Sequence, residues 1–318
     1  MEYFLYSVEM PFSGTRIFYR DISSKEQLIL SKANILLPEN EDTYLEYAKV
    51  IKDIVSNCIE NKKDFYELNI IEYILFITKL RILSIGSIIE LVFKNSEDEF
   101  TKNSKFSIDL NIFMKLLFDA ANDCMKNSIL EVKDFTITLD WPSVKSENLF
   151  LNEEKNIYIH ILSTIQEYIK TISTKEYKID LKEFNHEQKL EIYESLPISV
   201  KTKIQTFIFN SIENIAQKNL FGLKKMDYFK FNLYNKSYQH IIRLFFTEPL
   251  KNIYQEYYAL ASKNINPLYV DNISISDRRV FCSFIEEEIK NRKESESESS
   301  NNNENSSNLE DLMDEFGE

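Results

Sequence analysis

The groups in this sequence best able to do chemistry are three histidines, three cysteines and a few acidic clusters. His160, His186 and His240 stand apart, without a second ligand at zinc-site spacing or an HExxH pattern. His160 and His240 lie beside apolar residues, as core or interface histidines do. Cys58, Cys124 and Cys282 are odd in number and widely separated, which fits neither a metal-ligand pair nor a disulfide framework. Each falls in an apolar helical pattern, where cysteine behaves as a small hydrophobe, so buried reduced thiols are expected. Ser13-Gly14 puts a hydroxyl at a flexible turn, but with no preceding glycine or partner histidine it reads as turn chemistry. Glu286, Glu287 and Glu288 are consecutive on a helix, so they point around its axis and form a solvated face. Asp271 and Asp277 lack the glycine and spacing of a calcium loop. Phosphate-binding loops, dinucleotide fingerprints and a carboxylate pair for glycoside hydrolysis are all missing. The expectation is a protein that is not an enzyme and holds no metal or cofactor.

Two segments could bind another macromolecule. In Lys224–Tyr238, Lys224, Lys225, Lys230 and Lys236 alternate with Tyr228, Phe229, Phe231 and Tyr234. Aromatic rings within a basic strip can stack single-stranded nucleic acid, and this is the alternative functional reading. A compact segment that buries its rings and snorkels its lysines explains the pattern equally and suits an acidic chain better. The second segment ends the chain as NLEDLMDEFGE. Leu309, Leu312, Met313 and Phe316 recur at i, i+3, i+4 and i+7, the stripe of a helix that docks in a partner's groove. A solubility tail would not need four apolar anchors.

The elements that must position these groups follow from length and patterning. The 318 residues are 43% hydrophobic and 13% aromatic, enough for sizeable cores. There are 38 basic and 51 acidic side chains, a net charge of −13, which argues against nucleic acid and anionic membranes as partners. No run reaches the ~18 apolar residues of a membrane span, and the N-terminus lacks the basic region of a signal peptide. A soluble chain in a reducing interior is expected. Only four glycines and six prolines punctuate it.

Two apolar runs around Pro11-Phe12-Ser13-Gly14 predict a β-hairpin. Ser23 with Glu26 is a capping box and predicts a helix ending near Pro38. Helices are further predicted over 41–60 and 70–83, the latter apolar nearly all round and therefore central. Residues 87–150 alternate short β-favouring runs with one helix near 112–126, a mixed region with a small sheet. Beyond Asn152 the periodicity reads as helical throughout, including one helix through Ile157, Ile161, Ile165, Tyr168 and Ile172. From Lys293 the composition changes to charge, serine and asparagine, which predicts disorder. The fold class is mainly α (α+β): an N-terminal α+β domain over 1–150, an all-α bundle over 151–292, and a disordered acidic tail over 293–318 with a docking helix at 308–317.

Three stretches, PFSGTRIFYRDISSKEQLILSKANI, VIKDIVSNCI and LNIIEYILFITKLRILSIGSIIEL, resemble the N-terminal half of the baseplate hub proteins of T-even-like contractile-tailed phages. The shared pattern falls on Pro11, Ser13, Gly14, Arg20, Lys25, Glu26, Asn57, Cys58, Ile71, Glu72, Tyr73, Leu80, Arg81, Ser84 and Gly86. FTITLDWPSV resembles the family's next β-segment. The run from Leu244 to Arg292 is similar to the companion hub-assembly protein. Asp21 stands where the family has proline and Gln27 where it has lysine. The resemblance implies a phage tail baseplate hub component, or a tail-assembly-chaperone-like factor that helps build the hub. Its implied partners are hub or tape-measure proteins, met in the host cytoplasm during virion assembly or in the baseplate itself. The matching residues would then be structural.

Overall fold

A computed structural model describes residues 4–36, 41–93, 104–146, 157–218, 220, 243–246 and 248–314. The chain divides into two compact units, Met1–Ile22 with Ile29–Thr247, and Ser23–Leu28 with Glu248–Glu318.

The first unit opens with the expected hairpin, β1 (Tyr6–Glu9) and β2 (Arg16–Tyr19), paired antiparallel from Tyr6↔Tyr19 to Glu9↔Arg16. Gly14 supplies the positive φ of the turn, 68°. Alternation sends Ile17 and Tyr19 inward, and the Tyr19 ring meets Phe76 edge-on at 5.1 Å. Helices α1 (Ser24–Leu36), α2 (Glu41–Cys58), α3 (Lys62–Glu67) and α4 (Ile70–Ser84) follow. The first turn of α1 belongs to the second unit and carries the Ser23–Glu26 capping box, with bonds of 2.9 and 3.3 Å. Helix α4 is the axis of the first unit, with Ile71, Ile74, Phe76, Ile77 and Leu80 fully buried. A helix this apolar has no polar face to give to solvent and must be surrounded.

Strands β3 (Ile88–Phe93) and β4 (Ser104–Asp109) form a two-stranded sheet ahead of α5 (Leu110–Met125). A four-stranded antiparallel sheet then runs in the order β5 (Ile129–Val132), β6 (Phe135–Leu139), β7 (Ile169–Ser173), β8 (Lys178–Asp180). Helices α6 (Ile157–Thr164), α7 (His186–Ser195) and α8 (Ile198–Gln217) complete the unit's named elements.

This sheet corrects the expectation of an all-α second half and of a boundary at residue 150, because β6 pairs with β7 from beyond it. The helix predicted through Ile172 ends at Thr164, tightens into a 3-10 turn over Ile165–Tyr168 and becomes β7. Isoleucines at spacings of three and four fit a helix, but β-branched Ile169, Thr171 and Ile172 also suit a strand. Pairing with residues thirty or more positions away decides between them.

The second unit holds α9 (Leu250–Ser262), α10 (Pro267–Asn272) and α11 (Ile275–Asp314). Leu260, Val270 and Cys282 form its small core, with Tyr257, Ile265, Phe281 and Ile285 packed around them. Where disorder is expected from Lys293, α11 continues to Asp314. The reason is local: no glycine or proline occurs between Ile275 and Phe316, and lengthening an existing helix adds one hydrogen bond per residue without a new nucleus.

Candidate functional site

Most of the residues that carry the family resemblance lie in the first unit, where they form a hydrogen-bonded framework whose centre is a fully buried carboxylate. Glu72 is 0% exposed, in the first turn of α4. Its Oε1 accepts from the backbone N–H of Phe12 at 2.9 Å and of Ser13 at 2.7 Å, while Oε2 accepts from Asn69 N at 3.3 Å. Asn69 Oδ1 accepts in return from Glu72 N, which closes a capping box. One side chain thus starts the central helix and fastens the Pro11–Gly14 turn to it. Ser13 Oγ accepts from Thr15 N at 3.2 Å, the turn chemistry expected of it.

The other matching residues tie neighbouring segments. Arg20 N donates to the Cys58 carbonyl at 2.9 Å, bringing β2 to the end of α2. Tyr73 is buried, its ring edge-on to Phe65 at 5.6 Å. Arg81 donates to the carbonyls of Gly86 and Phe245, and Gly86 takes a φ of 122° beside it. Both departures from the family pattern have work. Asp21 Oδ1 accepts from Ile22 N at 3.1 Å and from Ser84 Oγ. Gln27 Oε1 accepts from Arg278 Nη2 at 2.6 Å in the second unit. A lysine there would set two cations together.

Beside Glu72 opens a cleft of about 570 Å3, walled by the hairpin turn, the α3–α4 junction, the β6–β7 side of the sheet and the start of α7. Backbone bonds fix these walls: Ile70 N to Pro142 O at 2.8 Å, Val144 N to Leu68 O at 2.9 Å and Asp140 N to Tyr168 O at 2.8 Å. Trp141 lines the cleft with its ring 6.2 Å from Tyr168, and its indole Nε1 is buried with no hydrogen-bond partner among the described residues. Lysines and carboxylates alternate around the mouth and neutralise one another. Glu67 lies 2.6 Å from Lys182 and 3.5 Å from Lys145, and Lys170 lies 3.1 Å from Asp140.

Deeper in, Glu167 accepts from Ser146 Oγ at 2.6 Å and Lys189 Nζ at 2.9 Å, with His186 Nδ1 at 2.9 Å. Burial alone would raise the Glu167 pKa, but bonds from Ser146, Lys189 and His186 outweigh it and hold the carboxyl below its ordinary range. The Lys182 hydrogen bond likewise lowers Glu67. Carboxyls held down in this way are poor proton donors near neutral pH. They act as fasteners between α3, the 3-10 turn and α7. Sequence reading missed the Glu167–His186 contact because nineteen residues separate the two.

The thiols of Cys58 and Cys282 are buried and that of Cys124 is half-buried. None of the three is in a disulfide, and burial raises the pKa of Cys124 and Cys282. Of the acidic clusters, Asp271 accepts from Tyr257 Oη at 3.0 Å, and Glu288 pairs with Lys263 and Arg292. Among the described residues no three His, Cys, Asp or Glu side chains gather at metal-binding distance, and no helix is long and apolar enough to cross a membrane. The Lys224–Tyr238 segment, His240 and Phe316 lie outside the described residues. So do the side chains of His160, Leu309, Leu312 and Met313, although the backbone of the last three is helical.

The second unit has its own buried cation. Arg278 is 0% exposed, its Nε donating to Glu256 at 2.7 Å and its guanidinium 5.5 Å from the Tyr257 ring. Around that network large apolar side chains face outward, among them Tyr258 at 78%, Leu268 at 70% and Phe284 at 61% exposure.

Residues 3–218 match a family model described as T4 bacteriophage base plate protein. No curated protein and no solved structure matches the chain.

Proposed function

Because the chain belongs to the T4 bacteriophage base plate protein family, we propose that it is a hub component of the phage tail baseplate, or a factor that assembles the hub. It works by gripping other tail polypeptides and performs no catalysis. The family match, which covers most of the first unit, carries this reading. The chemistry of the cleft supports it, since Glu67, Glu72, Asp140 and Glu167 there are committed to backbone amides or ion pairs. Outward-facing Tyr258, Leu268 and Phe284 supply the exposed apolar side chains that mark protein contacts. The stripe of Leu309, Leu312, Met313 and Phe316 supplies a second gripping element.

Hub and tape-measure proteins are the proposed partners, met in the host cytoplasm while the tail is built. The test is co-purification of the full chain with each tail protein, alongside mass spectrometry of purified virions. A complex with a hub or tape-measure protein is the expected result, and deleting Leu309–Phe316 should weaken it without altering the fold. If neither a stable nor a transient complex forms with any tail protein, the proposal fails. Turnover of a peptidoglycan or glycan substrate by the purified chain would overturn the non-catalytic part.

A further inference from the structure

On the first unit a second, more open cavity of about 430 Å3 lies between β1, α4 and α5, and every wall belongs to that unit. Val8, Met10, Leu75, Met114 and Phe118 give it an apolar floor. The Phe118 ring lies 5.6 Å from that of Phe12, whose backbone N–H is held by Glu72, so this side is set in advance. Lys79 and Lys115 stand exposed at the rim, opposed only by Glu9 among the lining residues. The hairpin lends Val8, Glu9, Met10 and Pro11 to the lining and β2 lends nothing, so the cavity opens on the side of β1 away from its partner. That side carries unpaired backbone. Met10 N donates to Thr15 O at 2.8 Å, and bonded and non-bonded pairs alternate along an antiparallel ladder. Val8 and Ile17 are therefore a bonded pair, whereas Ser7 and Glu9 turn their N–H and C=O groups outward. Among the described residues nothing answers those groups, since β1 pairs with β2 alone.

We propose that this edge and trough take up an extended segment of another tail polypeptide, added as a further strand beside β1, with apolar side chains at alternate positions and a carboxylate at the rim. The proposal rests on reading the chain as one that grips tail polypeptides, and it names a receptor site and the chemistry that fits it. An open strand edge is a template for another strand, whose main chain supplies the affinity. A docked helix has bonded its own backbone internally and leaves Ser7 and Glu9 unanswered. Side chains of an added strand alternate in step with β1, so every second one falls on the face of Val8 and Met10 and enters the trough. There Leu75, Met114 and Phe118 favour apolar groups, while Lys79 and Lys115 favour a carboxylate. The cavity falls in the ~300–1,000 Å3 range of sites that hold a ligand.

Fluorescence anisotropy of the full-length chain with two labelled synthetic peptides tests this. Both are capped at their ends and alternate valine with threonine; one finishes on glutamate, the other on lysine. The glutamate peptide should bind more tightly, and its binding should slow amide exchange at Ser7 and Glu9. Lys79→Glu/Lys115→Glu should reverse the preference between the peptides, which a misfolded variant would not do. Glu9→Ala keeps the outward N–H and should bind the glutamate peptide at least as well as the parent. Glu9→Pro removes that N–H without breaking a ladder bond, and should bind about tenfold more weakly than Glu9→Ala. The proposal is overturned if neither peptide binds, if Ser7 and Glu9 exchange as fast with peptide bound, or if the rim reversals leave the preference unchanged. If the chain captures a hub or tape-measure protein while neither peptide binds, the site assignment fails and the baseplate reading stands.

Discussion

Removing the Glu72 carboxylate should loosen the N-terminal hairpin from the central helix, and the cost can be worked from its three bonds. A hydrogen bond to a charged acceptor contributes ~1.5–3 kcal/mol. The bonds to Phe12 N and Ser13 N are partly exposed, so in Glu72→Ala water recovers some of their loss. The Asn69 N–H is buried and is left without its acceptor. Taking the low end for each, Glu72→Ala should destabilise the first unit by about 4 kcal/mol. Glu72→Gln keeps the shape and one acceptor oxygen but can turn an N–H donor toward the Asn69 N–H, costing about 2 kcal/mol. Urea unfolding followed by circular dichroism reads these values, and only the transition of the unit that contains Glu72 should move. Amide exchange gives the local check. Phe12 and Ser13 should lose protection, while Gly14, whose N–H is bonded within the turn to Met10 O at 2.9 Å, should keep more of its own. If Glu72→Ala lies within ~1 kcal/mol of the parent, or both amides stay protected, Glu72 does not anchor the turn.

Three further outcomes follow from the same physics. Because the folded-state pKa of Glu167 is depressed, its contribution is full above the ordinary glutamate pKa of about 4.3 and fades as pH falls through the lower folded value. Glu167→Gln should therefore cost ~1–3 kcal/mol at pH 7 and flatten the acid limb of the stability curve, and an unchanged limb would refute this. In the second unit Arg278→Met leaves Glu256 and Gln27 facing an apolar side chain and should destabilise that unit by ~3–5 kcal/mol by thermal melting. Arg278→Lys cannot reproduce the forked donors and should recover less than half of the loss. Last, Tyr258→Asp and Phe284→Asp should each change stability by less than ~0.5 kcal/mol while reducing capture of the tail partner. A large loss of stability would show that these side chains serve the unit's own packing.

Local rules written in the sequence set a good part of the fold. Ser23 and Glu26 announce the start of α1, Gly14 the hairpin turn, and the all-apolar Ile70–Leu80 run a buried helix. Each depends on residues within a few positions of one another, so a linear reading finds it. The resemblance pattern also named Ser13 and Glu72 together without saying that they touch. Across 59 residues only the fold aims that carboxylate at the Ser13 N–H. Tertiary structure likewise turned Ile169–Ser173 from helix into strand, since its isoleucines satisfy both periods and the β6 partner breaks the tie. It brought His186 to Glu167, and it laid apolar side chains of β1, α4 and α5 around one open cavity. Periodicity and capping act over a turn or two of chain, whereas burial and long-range pairing depend on which distant segments exclude water together, and no local pattern encodes that choice.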